Sequence, residues 1–374
     1  MADHDLQCSH CSQILAVPQD SHGRLIHCES CLGANRFHFP HTRNQVSGGW
    51  GKIIRRPVQT LQLLATKLKE KLTLYDDGSQ NYASMNCDNN FFLSPSDGAH
   101  HGKRAFLCGV SYKRQKHKLI GAINDVRSMR KLLLETYHFP KEAILVLTEM
   151  EPAGYLPTKK NIQRAFEWLV RDMRPGDSLV FYYSGHGLRQ LDFNEDELDG
   201  FDETLCPMDY KEAGMIIDNE INVAIVRPLI EGVTLHAIVD SCHSGTILDL
   251  AYVYDKEKEQ WEDNRPPSGA DKSTAGGLAV SLGACKDKQL AADTSAFTKK
   301  RMTGAMTWSL IHAVRLKSSL TYGELLDSML QSLKKGDQSS NACSLNKVFQ
   351  KRIIQDPQLS ASEEFDIYSK PFQL

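Results

Sequence analysis

Two residues of this chain have the chemistry of a nucleophile and its base, Cys242 and His186. Cys242 lies in Asp240-Ser241-Cys242-His243-Ser244-Gly245, directly after an apolar run at 233–239 (VTLHAIV) whose one strongly polar member is His236. His186 lies in Ser184-Gly185-His186-Gly187, directly after a second apolar run at 177–183 (DSLVFYY). A thiol is a strong nucleophile once deprotonated, and a neighbouring imidazole favours the thiolate. The same imidazole can return the proton to a leaving amine. Gly187 has no side chain to obstruct its N–H, so that donor and the Cys242 N–H can together hold an oxyanion. On residue pattern alone a second reading stays open: two unrelated turns, one with a buried thiol and one with a surface histidine.

Such a pair needs two strands that finish side by side. Both runs lack polar–apolar alternation, as strands covered on both faces do. Parallel α/β sheets place their chemistry at the carboxyl ends of such strands. The flanking sequence supplies the rest of that sheet. Residues 103–109 (KRAFLCG), 143–147 (AILVL) and 277–283 (GLAVSLG) read as further strands. Helices are expected over 126–137, capped by Asn124 or Asp125, and from Thr158 as cap through Met173. Two more fall at 302–314 and at 321–333, the latter with Thr321 as cap, and segments 348–354 and 357–360 close the domain. Strands alternating with helices predict an α/β fold with a mostly parallel central sheet.

Between the two reactive turns lies an acidic stretch. Residues 192–203 carry seven acids, Asp192, Glu195, Asp196, Glu197, Asp199, Asp202 and Glu203. That many like charges repel unless a cation joins them, and calcium suits hard oxygen ligands. The spacing is not that of an EF-hand loop, so calcium and a solvated acidic loop both remain open. After Asp249 a polar, Pro- and Gly-bearing stretch at 255–275, with Lys256, Lys258, Arg265 and Lys272, is expected to be an exposed loop open to proteolysis.

The N-terminus carries a different chemistry. Cys8-x2-Cys11 and Cys28-x2-Cys31 enclose sixteen residues, the spacing of a four-thiolate structural zinc site. A segment this short needs the metal to fold. A Cys3His site using His10, His22 or His27, or four ordinary cysteines in a tail, are the alternatives. Residues 36–57 read as a mildly basic linker, 58–72 as a short amphipathic helix and 76–101 as mobile polar chain.

Composition sets outer bounds. The 374 residues carry a formal charge of −2 with 41% hydrophobic content, which gives no support for a basic nucleic-acid surface. No apolar run approaches the roughly 18 residues of a membrane span, and the first ten residues (MADHDLQCSH) are polar from the third onward. The expected location is the cytoplasm, with the nucleus second. Six cysteines scattered outside the paired four fit reduced thiols.

Taken together, SGHG and DSCHSG after hydrophobic strands, Asn124-Asp125, Pro207-Met208-Asp209, and PQLSAS with Phe365-Asp366 resemble the caspase-like cysteine proteases, and more closely the metacaspases. The four-cysteine finger resembles that of plant lesion-simulating zinc-finger proteins. Finger, linker and protease-like part together look like a plant type I metacaspase. The resemblance implies a caspase-like α/β/α sandwich with a small N-terminal zinc finger. Its parts would be a finger (1–35), a linker (36–102), a large-subunit part (103–255), an intersubunit linker (256–275) and a small-subunit part (276–374). It implies a Cys242–His186 dyad cleaving after Arg or Lys, in regulated cell death or stress response. Asp125, Ser184 and Asp240 would line an acidic S1 pocket, where the charge-assisted geometry of two carboxylates suits a guanidinium. The family commonly carries Cys at the position of Ala122, a departure at the pocket wall. The resemblance also implies calcium held by Asp202, Asp218, Asn219 and Asp249, and self-cleavage after a basic residue between Lys256 and Lys288. Protein substrates, possible regulators at the finger, and a monomer with neither nucleic acid nor membrane are the expected company. The rival is a scaffold, in which finger and linker bind regulators and the protease-like part is inactive.

Overall fold

The computed structural model describes residues 102–113, 115, 117–192, 197, 199–284, 303–317, 319–340 and 356–374, with backbone alone for 303 and 335–340. It also describes the backbone of short strands at 4–7, 14–17, 25–27, 34–36 and 293–294. Cys8, Cys11, Cys28 and Cys31, the 58–72 helix and the 348–354 segment lie outside the described residues. Strands do bracket each cysteine pair. His4–Gln7 pairs antiparallel with Ile14–Val17, and Leu25–His27 with Ala34–Arg36.

The main sheet is built from β1 (Lys103–Gly109), β2 (Ile144–Thr148), β3 (Ser178–Ser184), β6 (Thr234–Asp240), β7 (Tyr252–Asp255), β8 (Gln260–Asp263), β9 (Leu278–Gly283) and β10 (Gln358–Ala361). Two further strands, β4 (Gly187–Leu191) and β5 (Phe201–Leu205), form a smaller sheet with the two-residue strand Ile216–Ile217. The eight-stranded order is β8-β7-β10-β9-β6-β3-β1-β2. The five strands β9, β6, β3, β1 and β2 run parallel, and the remaining three join antiparallel at one edge. The α/β architecture with a mostly parallel sheet is therefore the one expected.

The absence of alternation in the central runs has its cause here. Leu179, Phe181 and Tyr183 of β3 pack on one face with Phe166 and Leu169 of α2 (Lys159–Val170). Val180 and Tyr182 face the opposite way, onto α1 (Ala122–Glu135), α3 (Ala305–Leu316) and α4 (Tyr322–Ser340). All five side chains are fully buried. A strand sandwiched between helices reads apolar at every position. Phe106, Phe166 and Phe181 meet edge-on or stacked at 5.1–5.7 Å between centroids, which fixes α2 on its face.

Capping follows the sequence at two helices and departs from it at one. Thr158 Oγ1 accepts from the Asn161 N–H (3.3 Å). Thr321 Oγ1 accepts from the Glu324 N–H while Glu324 Oε2 accepts from the Thr321 N–H (3.2 and 3.1 Å), a reciprocal capping box. Helix α1, by contrast, begins at Ala122 behind Gly121, so Asn124 and Asp125 lie inside its first turn and not at the cap position. The Asp125 carboxylate is used elsewhere, as described below. The stretch expected as an exposed loop at 255–275 is also partly ordered into the sheet edge. Trp261 of β8 packs on Tyr254 and Phe365 (5.3 and 5.2 Å) and donates its indole N–H to the Phe365 carbonyl (2.8 Å).

Candidate active site and acidic cluster

Strands β3 and β6 are neighbours, in register from Ser178 with Thr234 to Ser184 with Asp240. His186 and Cys242 each stand two residues beyond that last rung, at adjoining strand ends. Past it the two turns touch: the Gly185 N–H donates to the Asp240 carbonyl (3.3 Å). A Cβ on Gly187 would sit 2.1 Å from the Cys242 carbonyl oxygen, so only glycine admits this approach. The chain turns left-handed at His243 (φ 53°) directly after the thiol, an uncommon conformation outside glycine.

Around His186 the geometry fixes the proton. Its Nε2 lies 2.6 Å from the His117 carbonyl, which can only accept, so Nε2 carries hydrogen and Nδ1 keeps the basic lone pair. The ring lies on Tyr112 at 4.5 Å between centroids, and the Tyr112 hydroxyl accepts from the His186 N–H (3.0 Å). Burial lowers the His186 pKa from its ordinary value, against the His117 hydrogen bond that raises it. The Cys206 N–H donates to the His186 carbonyl (3.1 Å), which makes Gly187–Leu205 a non-hydrogen-bonded rung of the β4–β5 ladder. The Gly187 N–H therefore points away from β5. Cys242 is partly exposed, whereas the thiols of Cys108 and Cys206 are buried and their pKa values pushed up by desolvation.

On the α1–α3 face of the same strand ends, two carboxylates meet. Asp125 is 1% exposed and Asp240 5%. Asp125 Oδ2 accepts from Ser184 Oγ (3.3 Å) and from the Gly304 N–H (2.9 Å). Asp240 Oδ2 accepts from both the N–H and the hydroxyl of Thr307 (2.9 and 2.5 Å). Asp125, Ser184 and Asp240 are thus brought together as expected, against the first turn of α3. Thr307 was not singled out by the sequence; its hydroxyl also meets the Tyr182 hydroxyl at 2.6 Å.

Two acids of the stretch, Glu197 and Asp202, meet Asp218 beside the β4–β5 hairpin. Oxygens of Glu197, Asp202 and Asp218 all lie within 4.8 Å of one another, a set suited to a metal ion. Asp218 is fully buried, accepting from the Glu203 N–H and the Asn219 N–H (2.6 and 2.7 Å). Desolvation, with the charges of Asp249, Glu203, Glu197 and Asp202, raises the Asp218 pKa well above the carboxylate range. Glu197 is pushed up to about 8, chiefly by desolvation and then by Asp249. Asp202, Asp218 and Asp249 were expected here and Glu197 was not. Asn219 meets the group through its backbone. Carboxylate oxygens this close together can hold a hard cation.

Residues 103–251 match the family model described as metacaspase, peptidase C14 domain. Metacaspase-1 of Arabidopsis thaliana is 47% identical over 291 residues, which cover 74% of this chain and 79% of that protein. Metacaspase-2 of the same plant is 44% identical over 307 residues, covering 74% of this chain and 73% of that one. Among solved structures, caspase-1 from Spodoptera frugiperda aligns over 78% of this chain and 97% of its own, with 12% identity and a TM-score of 0.38.

Proposed function

Since the chain belongs to the metacaspase family of cysteine-type peptidases, we propose that Cys242 and His186 form its catalytic pair and that it cleaves peptide bonds after Arg or Lys when calcium is bound. The observation that carries this reading is the shared rung: Ser184 and Asp240 pair, His186 and Cys242 follow each at equal distance, and Asp125 joins them from α1.

The chemistry follows from those positions. His186 Nδ1, left basic by the Nε2–His117 bond, takes the Cys242 proton. The thiolate adds to the scissile carbonyl carbon, and the oxyanion is met by the Gly187 and Cys242 N–H groups. His186 then gives its proton to the leaving amine, and water resolves the thioester. Asp125 and Asp240 receive the guanidinium or ammonium of the residue before the bond, with Ser184 as a third polar contact. Amide donors at the start of α3, from Gly304 and Thr307, hold the two carboxylates in place for that cation.

Calcium, held by Asp202, Asp218 and Asp249 with Glu197 and Asn219, would supply the positive charge that lets these carboxylates ionise together and orders the loops beside the catalytic turn. Zinc on Cys8, Cys11, Cys28 and Cys31 would supply the folding energy of the N-terminal finger, where regulators of the protease can dock. Self-cleavage between Lys256 and Lys288 and a role in regulated cell death or stress response complete the reading. Among the described residues no helix is long and apolar enough to cross a membrane.

Peptides bearing Arg, Lys or Asp before a fluorogenic group, assayed with calcium and with chelator, test it. Calcium-dependent release from Arg and Lys, abolished in Cys242→Ala, is expected. Release from the Asp peptide, or equal release by Cys242→Ala, would sink it.

A further inference from the structure

The acidic cluster already has a cation, and it is covalently part of the chain. Lys272 belongs to the polar stretch between β8 and β9, yet its side chain is only 9% exposed. Its ammonium lies 3.0 Å from Glu197 Oε1 and 2.8 Å from Asp249 Oδ2. Two other basic residues of that stretch stand in water, Lys258 at 58% and Arg265 at 64% exposure. The backbone beside Lys272 is also tied down. Its carbonyl accepts from Asn222 Nδ2 (3.1 Å), an amide that reaches the Leu248 carbonyl as well (2.9 Å). Taking an ammonium out of water is unfavourable unless carboxylates offset it. Lys272 is therefore inside because the cluster needs a positive charge.

A divalent ion drawn to the same oxygens meets that charge. An ammonium and a calcium ion that share Glu197 and Asp249 repel across a few ångströms of low-dielectric protein, so one displaces the other. Resting on the calcium reading above, we propose that Lys272 is a tethered competitor of the divalent ion, so that calcium binding ejects its side chain and frees it to direct cleavage of the Lys272–Ser273 bond as the processing site. Hydrolysis there consumes one water and leaves a carboxylate on Lys272 and an amine on Ser273. The burial of Lys272 keeps this bond closed at low calcium, although the residue is of the type cleaved.

The experiment uses the full-length Cys242→Ala chain, which cannot cut itself. Calcium chloride titrated calorimetrically should bind Lys272→Met about tenfold more tightly than the parent, with Lys272→Arg close to the parent. Equal affinity in all three overturns the inference and leaves calcium binding intact. No binding in any of them removes the calcium reading itself, and the inference with it. Should the Met form fail to fold, the parent alone decides. A lysine-specific endoproteinase should create the N-terminus Ser273-Thr274-Ala275 about tenfold faster in calcium than in chelator. A rate at Lys272 that ignores calcium, or falls with it, overturns the proposal.

Discussion

The imidazole proposed as the catalytic base is a buried group with its Nε2 committed to a backbone carbonyl. Burial lowers the His186 pKa, so the ring stays neutral and basic below the ordinary histidine value of about 6.5. The acid limb of kcat/KM for an arginyl peptide should therefore have its midpoint under about 6.5, and a midpoint above 7 would contradict the assignment. Thr307 is a positioning residue for Asp240, to which it donates twice. A hydrogen bond to a charged carboxylate is worth about 1.5–3 kcal/mol, so Thr307→Val should raise KM for Arg peptides about tenfold or more with kcat nearly kept. Thr307→Ser should restore KM. A fall in kcat alone would assign Thr307 a merely structural place.

At the scale of elements, the sheet was readable and its partners were less so. Strands β3 and β6 announced themselves because helices on both faces demand apolar side chains at every position. Thr158 and Thr321 were legible as caps because capping is a three-residue interaction. Asp125 looked the same locally and does something else, since its hydrogen-bond partners, Ser184 and Gly304, are 59 and 179 residues away. Glu197 was one acid among seven, and nothing nearby marked it as the one that meets Lys272, 75 residues on. The hairpin of β7 and β8 looked like polar loop because β10, its partner on the sheet, comes about a hundred residues later. One close approach within these elements is directly testable. In Gly187→Ala the methyl group collides with the Cys242 carbonyl, so the cysteine turn must shift. Displacements of about 1 Å cost on the order of a hundredfold in rate, and that loss should appear in kcat with the fold intact by circular dichroism. An Ala variant of full activity would mean the two turns are not held together as described.

For the whole molecule, one buried histidine contributes to the acid response. His236 sits in mid-strand β6, with its Nε2 and the Tyr322 hydroxyl 2.6 Å apart and Phe372 against the ring at 5.6 Å. Burial, helped by Lys370, lowers its pKa to about 3. The unfolded chain protonates this group at about 6.5 and the folded chain does not, so the unfolded state binds the extra proton in between. Stability is thus fully present above about 6.5 and falls as pH drops toward 3, by roughly 5 kcal/mol at most from this residue. His236→Gln, which keeps a polar partner for Tyr322, should flatten the pH dependence of the unfolding midpoint between pH 6.5 and 4. An unchanged slope would show that other groups carry it.

Strand β10 lies between β7, which precedes Lys272, and β9, which follows it. Strands β6 and β9, on opposite sides of the same stretch, are also paired over six rungs. A nick at Lys272 therefore interrupts the covalent thread but neither ladder. Processed enzyme should sediment as one particle of about the parental mass and come apart only in denaturant, so that maturation loosens a loop without ever producing a free subunit. Two separately sedimenting fragments in native buffer would refute this.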